Sequence, residues 1–420
     1  MARTTSRRVL VVSLPAPAAH HQNPRLRSAA DHGDGGPAES VGRRTRRRRQ
    51  DAAAAIGALH QDVLIWEILA RLPPAALLRC RAVCRAWRGI TSDPAFLLAH
   101  HRRQPSLPLF LLRESSTDAA NPERGGRPVL GLDRGDHGYL GSFTLHASSD
   151  GLLLISNRRR FSICNPVTRQ HARVPGLAGC FNIEALYLHR PSGEYRVLYW
   201  YDGRFRANQQ TFCYVLAVPR SRKPRRVVVP ADCRDTADYY DPISRPSVML
   251  GGCLHWIPGR RPLAGTLVVF DTVAESFRSM RLPAALAAAG SCESTRLHDR
   301  EGSLGLSCFD DRRRAVVNVW VLEDYEREVW SLKYKINFSP ETSRSLVFSH
   351  GGDMLLYNKC IPRSYMVHYE AKFIEEFQWG SWASYLTGHL FKESLVMLSS
   401  RSHAVPLQLD IDVFSQDGSN

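Results

Sequence analysis

A glycine stands directly ahead of a short apolar run at Gly151, Gly252, Gly302 and Gly352, in steps of 101, 50 and 50 residues. The long first step leaves room for one further unit, spanning Gly193–Val229. After each glycine the pattern continues as strand, turn, second strand and a further turn. The run GLLLI at Gly151, followed by FSICNP at Phe161, parallels GCLHWI at Gly252, followed by LVVFDT at Leu267. A repeat of this length with several strands per unit confines the chain from about Tyr139 onward to a serial all-β architecture, each unit burying its faces against the next. Candidate strands run from Gly151–Ser156 to Leu395–Ser399 and include Phe212–Val218, Thr266–Asp271 and Met354–Tyr357, separated by Gly, Asn, Asp and Pro turns. A further apolar run, Leu107–Leu112, reads as a lone strand able to pair with the last unit and remove an exposed edge.

Ahead of this region the pattern is helical. Ile65, Ile68, Leu69 and Leu72 fall at i, i+3, i+4 and i+7. Asp62 is placed to cap this first helix, and Pro73-Pro74 stops it. A second short helix is expected from Ala75. A third carries Val83, Cys84, Trp87 and Ile90 on one face. Three short helices in about thirty residues make a very small core, so part of their apolar surface is expected to belong to a partner.

The net charge is +16, and half of it sits in residues 1–50, which hold eleven Arg against three acids. This Arg-, Ala-, Pro- and Gly-rich segment reads as disordered. Arg43–Arg49 has the composition of a nuclear import signal or a solvated basic tail. Ten cysteines are scattered without a CxxC pair, as expected of free thiols in a reducing compartment, with Cys80 and Cys84 read as core thiols. The apolar run Val9–Leu14 is too short before Pro15 for a secretory signal. No run approaches the roughly 18 apolar residues of a membrane span. His100-His101 lacks metal-site spacing and is expected at the surface. The chain has no GxSxG, HExxH, P-loop or GxGxxG motif. The acidic pairs Asp310-Asp311, Glu323-Asp324 and Glu375-Glu376 place neighbours on opposite strand faces.

The ordered pieces EILARLPP (Glu67–Pro74), LLRCRAVCRAWR (Leu77–Arg88) and SDPAF (Ser92–Phe96) resemble the F-box. His60 stands where that family usually carries proline, which loosens the start of the first helix. The later pieces SSDGLLLI, ICNPVTRQHARVP, GGCLHWI, VVFDTVAESFRSMRLP and VWVLEDYEREVW resemble, in order, the F-box-associated domain of plant F-box proteins. Together the resemblances imply a multi-domain chain, α then all-β. A three-helix F-box (53–101) follows a basic tail (1–52). A linker (102–137), a kelch-like β-propeller of roughly six blades (138–400) and a C-terminal tail (401–420) come after it.

The resemblance implies a non-catalytic substrate-receptor subunit of an SCF-type cullin–RING ubiquitin ligase, cytoplasmic or nuclear, with no cofactor. Its partners would be a Skp-type adaptor and a target protein. Adaptor contact would fall on Leu59, Asp62, Leu64, Ile68, Leu69, Leu72, Pro73, Leu77 and Leu78, presented by a core of Val83, Cys84 and Trp87. Target recognition would fall on loops, with the arginine clusters Arg158–Arg160, Arg204–Asn208, Arg220–Arg226, Arg260–Arg261 and Arg312–Arg314 and the Glu323–Glu328 loop as candidates. The rival readings are a free-standing β-propeller binding module and a basic nucleic-acid-associated protein acting through its arginine tail.

Overall fold

The computed structural model describes residues 8–13, 63–114, 127–133, 143–157, 160–177, 181–201, 212–218, 223–231, 233, 246–257, 265–289, 295–300, 302–309, 316–337, 345–348, 354–357, 363–367, 373–378 and 382–396. The chain divides into two units, a helical one ending at Gln104 and a β unit from Pro105 that also takes in the N-terminal strand.

The helical unit starts with a π-helical stretch, Val63–Ile68, that tightens into a 3-10 turn, Leu69–Arg71. Pro73-Pro74 ends it as expected, and Pro74 then opens helix α1 (Pro74–Cys80), where a missing N–H costs nothing. Helix α2 (Arg85–Ile90) is capped by the Cys84 side chain, which accepts from the Trp87 N–H. A fourth segment, α3 (Pro94–Arg103), was not expected as a helix. Asp93 caps it by accepting from the N–H groups of Ala95 and Phe96, with Pro94 in its first turn. This helix ties the unit together. His100 Nε2 donates to the Leu72 carbonyl at 2.8 Å, and Arg103 donates to the Trp66 carbonyl at 2.7 Å. His100 is therefore buried, contrary to its surface assignment.

Among the described residues the β unit consists of six four-stranded antiparallel sheets. One gathers β1 (Arg8–Ser13), β2 (Ser106–Glu114), β3 (Arg127–Asp133) and the last strand, β24 (Trp382–Lys392), in the order β24-β2-β1-β3. The other five are simple meanders. The first holds β4 (Phe143–Ser149), β5 (Leu152–Asn157), β6 (Arg160–Asn165) and β7 (Gln170–Arg173). The second holds β8 (Phe181–His189), β9 (Glu194–Tyr201), β10 (Phe212–Val218) and β11 (Arg225–Val227). The third holds β12 (Val248–Leu250), β13 (Cys253–Trp256), β14 (Thr266–Asp271) and β15 (Ser276–Arg281). The fourth holds β16 (Arg296–Arg300), β17 (Ser303–Phe309), β18 (Val316–Asp324) and β19 (Val329–Asn337). The fifth runs from β20 (Ser345–Phe348) through β21 (Met354–Tyr357) and β22 (Arg363–Val367) to β23 (Phe373–Gln378).

Two boundaries change. Arg8–Ser13 is a strand within the segment read as disordered, and Arg127–Asp133 is a strand within the segment read as linker. Leu107–Leu112 does pair with the last strand, Ser106 opposite Lys392 through to Glu114 opposite Trp382. It does so inside a sheet of its own rather than as an addition to a complete one.

Sheets pack on sheets in chain order. Leu109, Leu111 and Phe391 of the mixed sheet meet Leu145, Leu153 and Ile155 of the first. Leu154 and Ile163 of the first meet Leu186 and Val197 of the second. Trp200 and Val215 of the second meet Trp256 and Phe270 of the third, and Val269 and Met280 of the third meet Leu306 and Trp320 of the fourth. The tryptophans at 200, 256 and 320 are core.

The repeating glycine marks one position in each unit. Gly151, Gly193, Gly252 and Gly302 all sit in the turn between the first and second strands, each with positive φ; Gly352 lies outside the described residues. A second repeated turn joins strands three and four. In each case an Asn or Asp side chain caps the backbone: Asn165 accepts from Val167 and Thr168, Asp271 from Val273 and Ala274, and Asp324 from Arg327. Each turn closes on a left-handed residue, Arg169, Glu275 or Glu328.

Gly151 and Gly193 share a backbone conformation but differ in surroundings. A Cβ on Gly151 would meet Ser394 Oγ at 2.5 Å and its backbone nitrogen at 2.7 Å, whereas a Cβ on Gly193 meets nothing within 4 Å. Gly193→Ala should cost about 1 kcal/mol for the left-handed backbone alone. Gly151→Ala should cost about 2–4 kcal/mol through added overpacking. Urea unfolding of the two variants checks the difference.

Candidate protein-interaction sites

The sequence-expected adaptor residues separate by burial. Leu69 and Leu77 are fully buried inside the helical unit, so they hold it together rather than face outward. Leu72 and Leu78 are half-buried, and Pro73 is exposed. Ile68 is 40% exposed. Leu64 lies within the π-helical stretch, and Leu59 and Asp62 lie outside the described residues. The expected core of Val83, Cys84 and Trp87 is corrected. Val83 is 65% exposed, Cys84 is exposed and serves as a helix cap, and Trp87 is half-buried. Phe96 and His100 take that interior role instead, with ring centroids 6.1 Å apart. The α-helical stripe does not form in the first segment, which winds as a π-helix and then a 3-10 turn and buries only Leu69 of Ile65, Ile68, Leu69 and Leu72. The third helix is only six residues long and cannot bury a full stripe.

The unit consequently shows more apolar surface than its size requires. Trp66 (37% exposed) and Leu98 (52%), both missed from the sequence, join Ile68 and Val83 outside. Trp66 lies over Phe96, centroids 6.1 Å apart, with its carbonyl fixed by Arg103.

In the β unit, side-chain bonds show how the sheets are aligned. Tyr195, at the start of β9, donates its hydroxyl to Asp150 Oδ2 at 3.2 Å, just past β4. Glu275, closing the third sheet's last turn, reaches back to the second sheet. It accepts from the Tyr187 hydroxyl at 2.7 Å and from Arg196 at 2.5 Å, and pairs with Arg225. Glu328, its counterpart in the fourth sheet, reaches back in the same way to Arg281 at 2.9 Å. Tyr325, in the turn after β18, bonds His255 Nε2 at 2.8 Å and also Cys253, the first residue of β13. Past β24, Ser394 donates to the Asp150 carbonyl, and Asn165 Nδ2 donates to the carbonyls of Ser394 (3.2 Å) and Val396 (2.9 Å). The first four sheets therefore stand the same way up. Their strand 1–2 and strand 3–4 turns gather at one end, so their strand 2–3 connections leave from the other.

At the tight-turn end several polar side chains are paired within the domain. Of the arginine clusters and acidic loop proposed for recognition, Glu323–Glu328 belongs here, and Glu323 is held by Lys333 and Ser331. Arg158-Arg159, Arg204–Asn208, Arg220–Arg222, Arg260–Arg261 and Arg312–Arg314 lie outside the described residues. Among the described residues no group of His, Cys, Asp or Glu is arranged to hold a metal ion.

Several buried titratable groups are structural. Burial lowers His146 and His255 to about 4 and His298 to about 3, and each is satisfied neutral: His146 by Ser156, His255 by Tyr325, His298 by Ser307. Burial raises Glu184 to about 8.

Residues 135–373, more than half of the chain, match the family described as the F-box associated beta propeller domain, and residues 62–104 match the family described as F-box-like. A helical adaptor-type module followed by a propeller-type β domain is thus the class of protein that fold and sequence define. Among Arabidopsis thaliana proteins, F-box protein At5g49610 is 25% identical over 66% of this chain and 78% of its own length. F-box protein CPR1 is 25% identical over 70% of this chain and 76% of its own length. The chain belongs to the F-box associated β-propeller family and is an F-box protein of the plant type. The β-propeller domain of Cps50 (Swd1) from Myceliophteria thermophila overlaps it at a TM-score of 0.35 and 13% identity, covering 66% of this chain and 83% of that one, an overlap too shallow to bear on function.

Two measurements check this account. The histidines bind fewer protons folded than unfolded, so their contribution is present above their unfolded pKa of about 6.5 and is lost as pH falls toward 4, by up to about 1.4 kcal/mol per pH unit for each. Glu184 has the opposite sign. Its folded pKa is raised, so its contribution is present below about 4.5 and lost as pH rises through about 8. Chemical unfolding across pH should show stability falling on both sides, with Glu184→Gln flattening the alkaline side alone. Glu275→Ala should destabilise by about 3 kcal/mol, because it leaves the largely buried Arg196 with only the distant Glu194 at 3.9 Å and removes the acceptor of the Tyr187 hydroxyl. Thermal unfolding of that variant tests the value.

Proposed function

We propose that this chain is the substrate-receptor subunit of an SCF-type cullin–RING ubiquitin ligase, acting in the cytoplasm or nucleus. The helical unit docks a Skp-type adaptor, and the β domain holds a target protein for ubiquitin transfer by another subunit. The chain contributes proximity and orientation rather than bond chemistry. The observation that carries this reading is the exposed apolar set Trp66, Ile68, Val83 and Leu98 on a unit that matches the F-box-like family and precedes the matched β domain. Leu72, Pro73 and Leu78 extend that surface.

The β domain reads as a closed six-bladed ring. Support comes from the mixed sheet, in which β24 joins the chain's end to β2. It comes also from Ser394, just past β24, which donates to the Asp150 carbonyl in the first sheet's turn, and from Asn165, which donates to the Ser394 and Val396 carbonyls. A ring leaves no first or last sheet with an open face.

Ile68→Asp with Val83→Asp should abolish co-purification with a Skp-type adaptor while leaving the unfolding transition within a few degrees of wild type. Leu77→Asp would instead unfold the unit, because that side chain has no exposed surface. Adaptor binding retained by a folded Ile68→Asp/Val83→Asp chain would remove the receptor reading.

A further inference from the structure

The two ends of the aligned sheets differ in charge. At the tight-turn end the strands of the first four sheets finish or begin on Arg225 and Arg300, balanced by Glu194, Asp271 and Asp324. At the opposite end the terminal charged residues are Arg160, Arg173, Arg296 and Arg281, the last paired with Glu328, and among the described residues no strand of these sheets ends there on an acid. Arg160 and Arg173 are exposed and lie on neighbouring strands, with Ser162 opposite Arg173 in the register and the Val174 N–H donating to the Phe161 carbonyl at 3.0 Å. Arg226 adds a further guanidinium, seated 4.0 Å over the ring of Phe212, the first residue of β10 at that same end. Stacking on an aromatic ring fixes a guanidinium while leaving its edge donors available.

Building on the receptor reading, we propose that this arginine-bearing end is the target-recognition face, and that it takes an acidic segment of a partner protein that also carries aromatic or apolar residues. Arginine pairs bidentately with carboxylates, and strand ends on a packed scaffold hold their positions well. A continuous polyphosphate fits less well. The arginines are discrete, with Arg160 and Arg173 on the first sheet, Arg226 on the second and Arg296 on the fourth, and do not form an unbroken basic run. Half-buried Tyr201 and Phe212 at the same end offer contact for apolar side chains between the acids.

The test uses the full-length chain and a fluorescein-labelled Glu–Tyr copolymer, read by fluorescence polarisation, with a labelled oligo(dT) of similar charge in a parallel arm. Arg160→Glu/Arg173→Glu should weaken copolymer binding about fivefold or more, while the charge-matched Arg190→Glu/Arg327→Glu at the tight-turn end should change it by less than about twofold. Unfolding midpoints matching wild type, and adaptor co-purification unchanged in both variants, separate this result from any failure of folding or of the receptor reading. Equal loss from both pairs, or loss from neither, overturns the assignment. Oligo(dT) bound more tightly than the copolymer and weakened by the same Arg160/Arg173 change also overturns it, in favour of a nucleic-acid surface.

Discussion

The pairing of β2 with β24 is the constraint on which the β unit depends. It joins Ser106–Glu114 to Trp382–Lys392 across almost the whole domain sequence. The polar contacts just beyond it complete the join. Asn165 holds the carbonyls of Ser394 and Val396, and Ser394 occupies the space that a Cβ on Gly151 would need. Such contacts are worth little each in water, but a buried amide left without partners costs much more. The chain's end is therefore held by satisfied groups in the first sheet, and the sheets between are held in series by their apolar faces.

Between sheets the same device appears twice. A left-handed glutamate closes the third sheet's last turn and another closes the fourth's, and each reaches back to arginines of the preceding sheet. Apolar packing alone is tolerant of sliding. A carboxylate fixed on a tight turn and paired across the seam sets the angle between neighbours, a use of charge for geometry more than for net stability. Arg169, not a carboxylate, occupies the equivalent place in the first sheet.

The second and third strands of the first and third sheets were legible in the sequence because they are buried on both faces and read as apolar runs, such as LLLI and LVVF. Most first and fourth strands were not. RLHDR and SFRSMR are polar strings whose strand conformation comes from pairing with a neighbour. The short strand Arg8–Ser13 resembled a targeting segment because its partners lie about a hundred residues away. In the helical unit the apolar positions were identified, but their direction was not. Leu69 and Leu77 turn inward while Val83 turns out, since which leucines meet depends on helix α3, whose Asp-Pro start was visible and whose buried His100 was not anticipated.

A sheet assembled from both termini also governs when the protein becomes complete. During synthesis the helical unit and then each meander can emerge and fold in order, but β2 stays without its neighbour until nearly 400 residues have been made. At ordinary elongation rates that interval is on the order of a minute or less, during which the nascent domain carries an unpaired inner edge. A message truncated even slightly before Trp382 would yield a chain that still encodes the whole helical unit and all five meanders but leaves one side of β2 without its hydrogen-bonding partner.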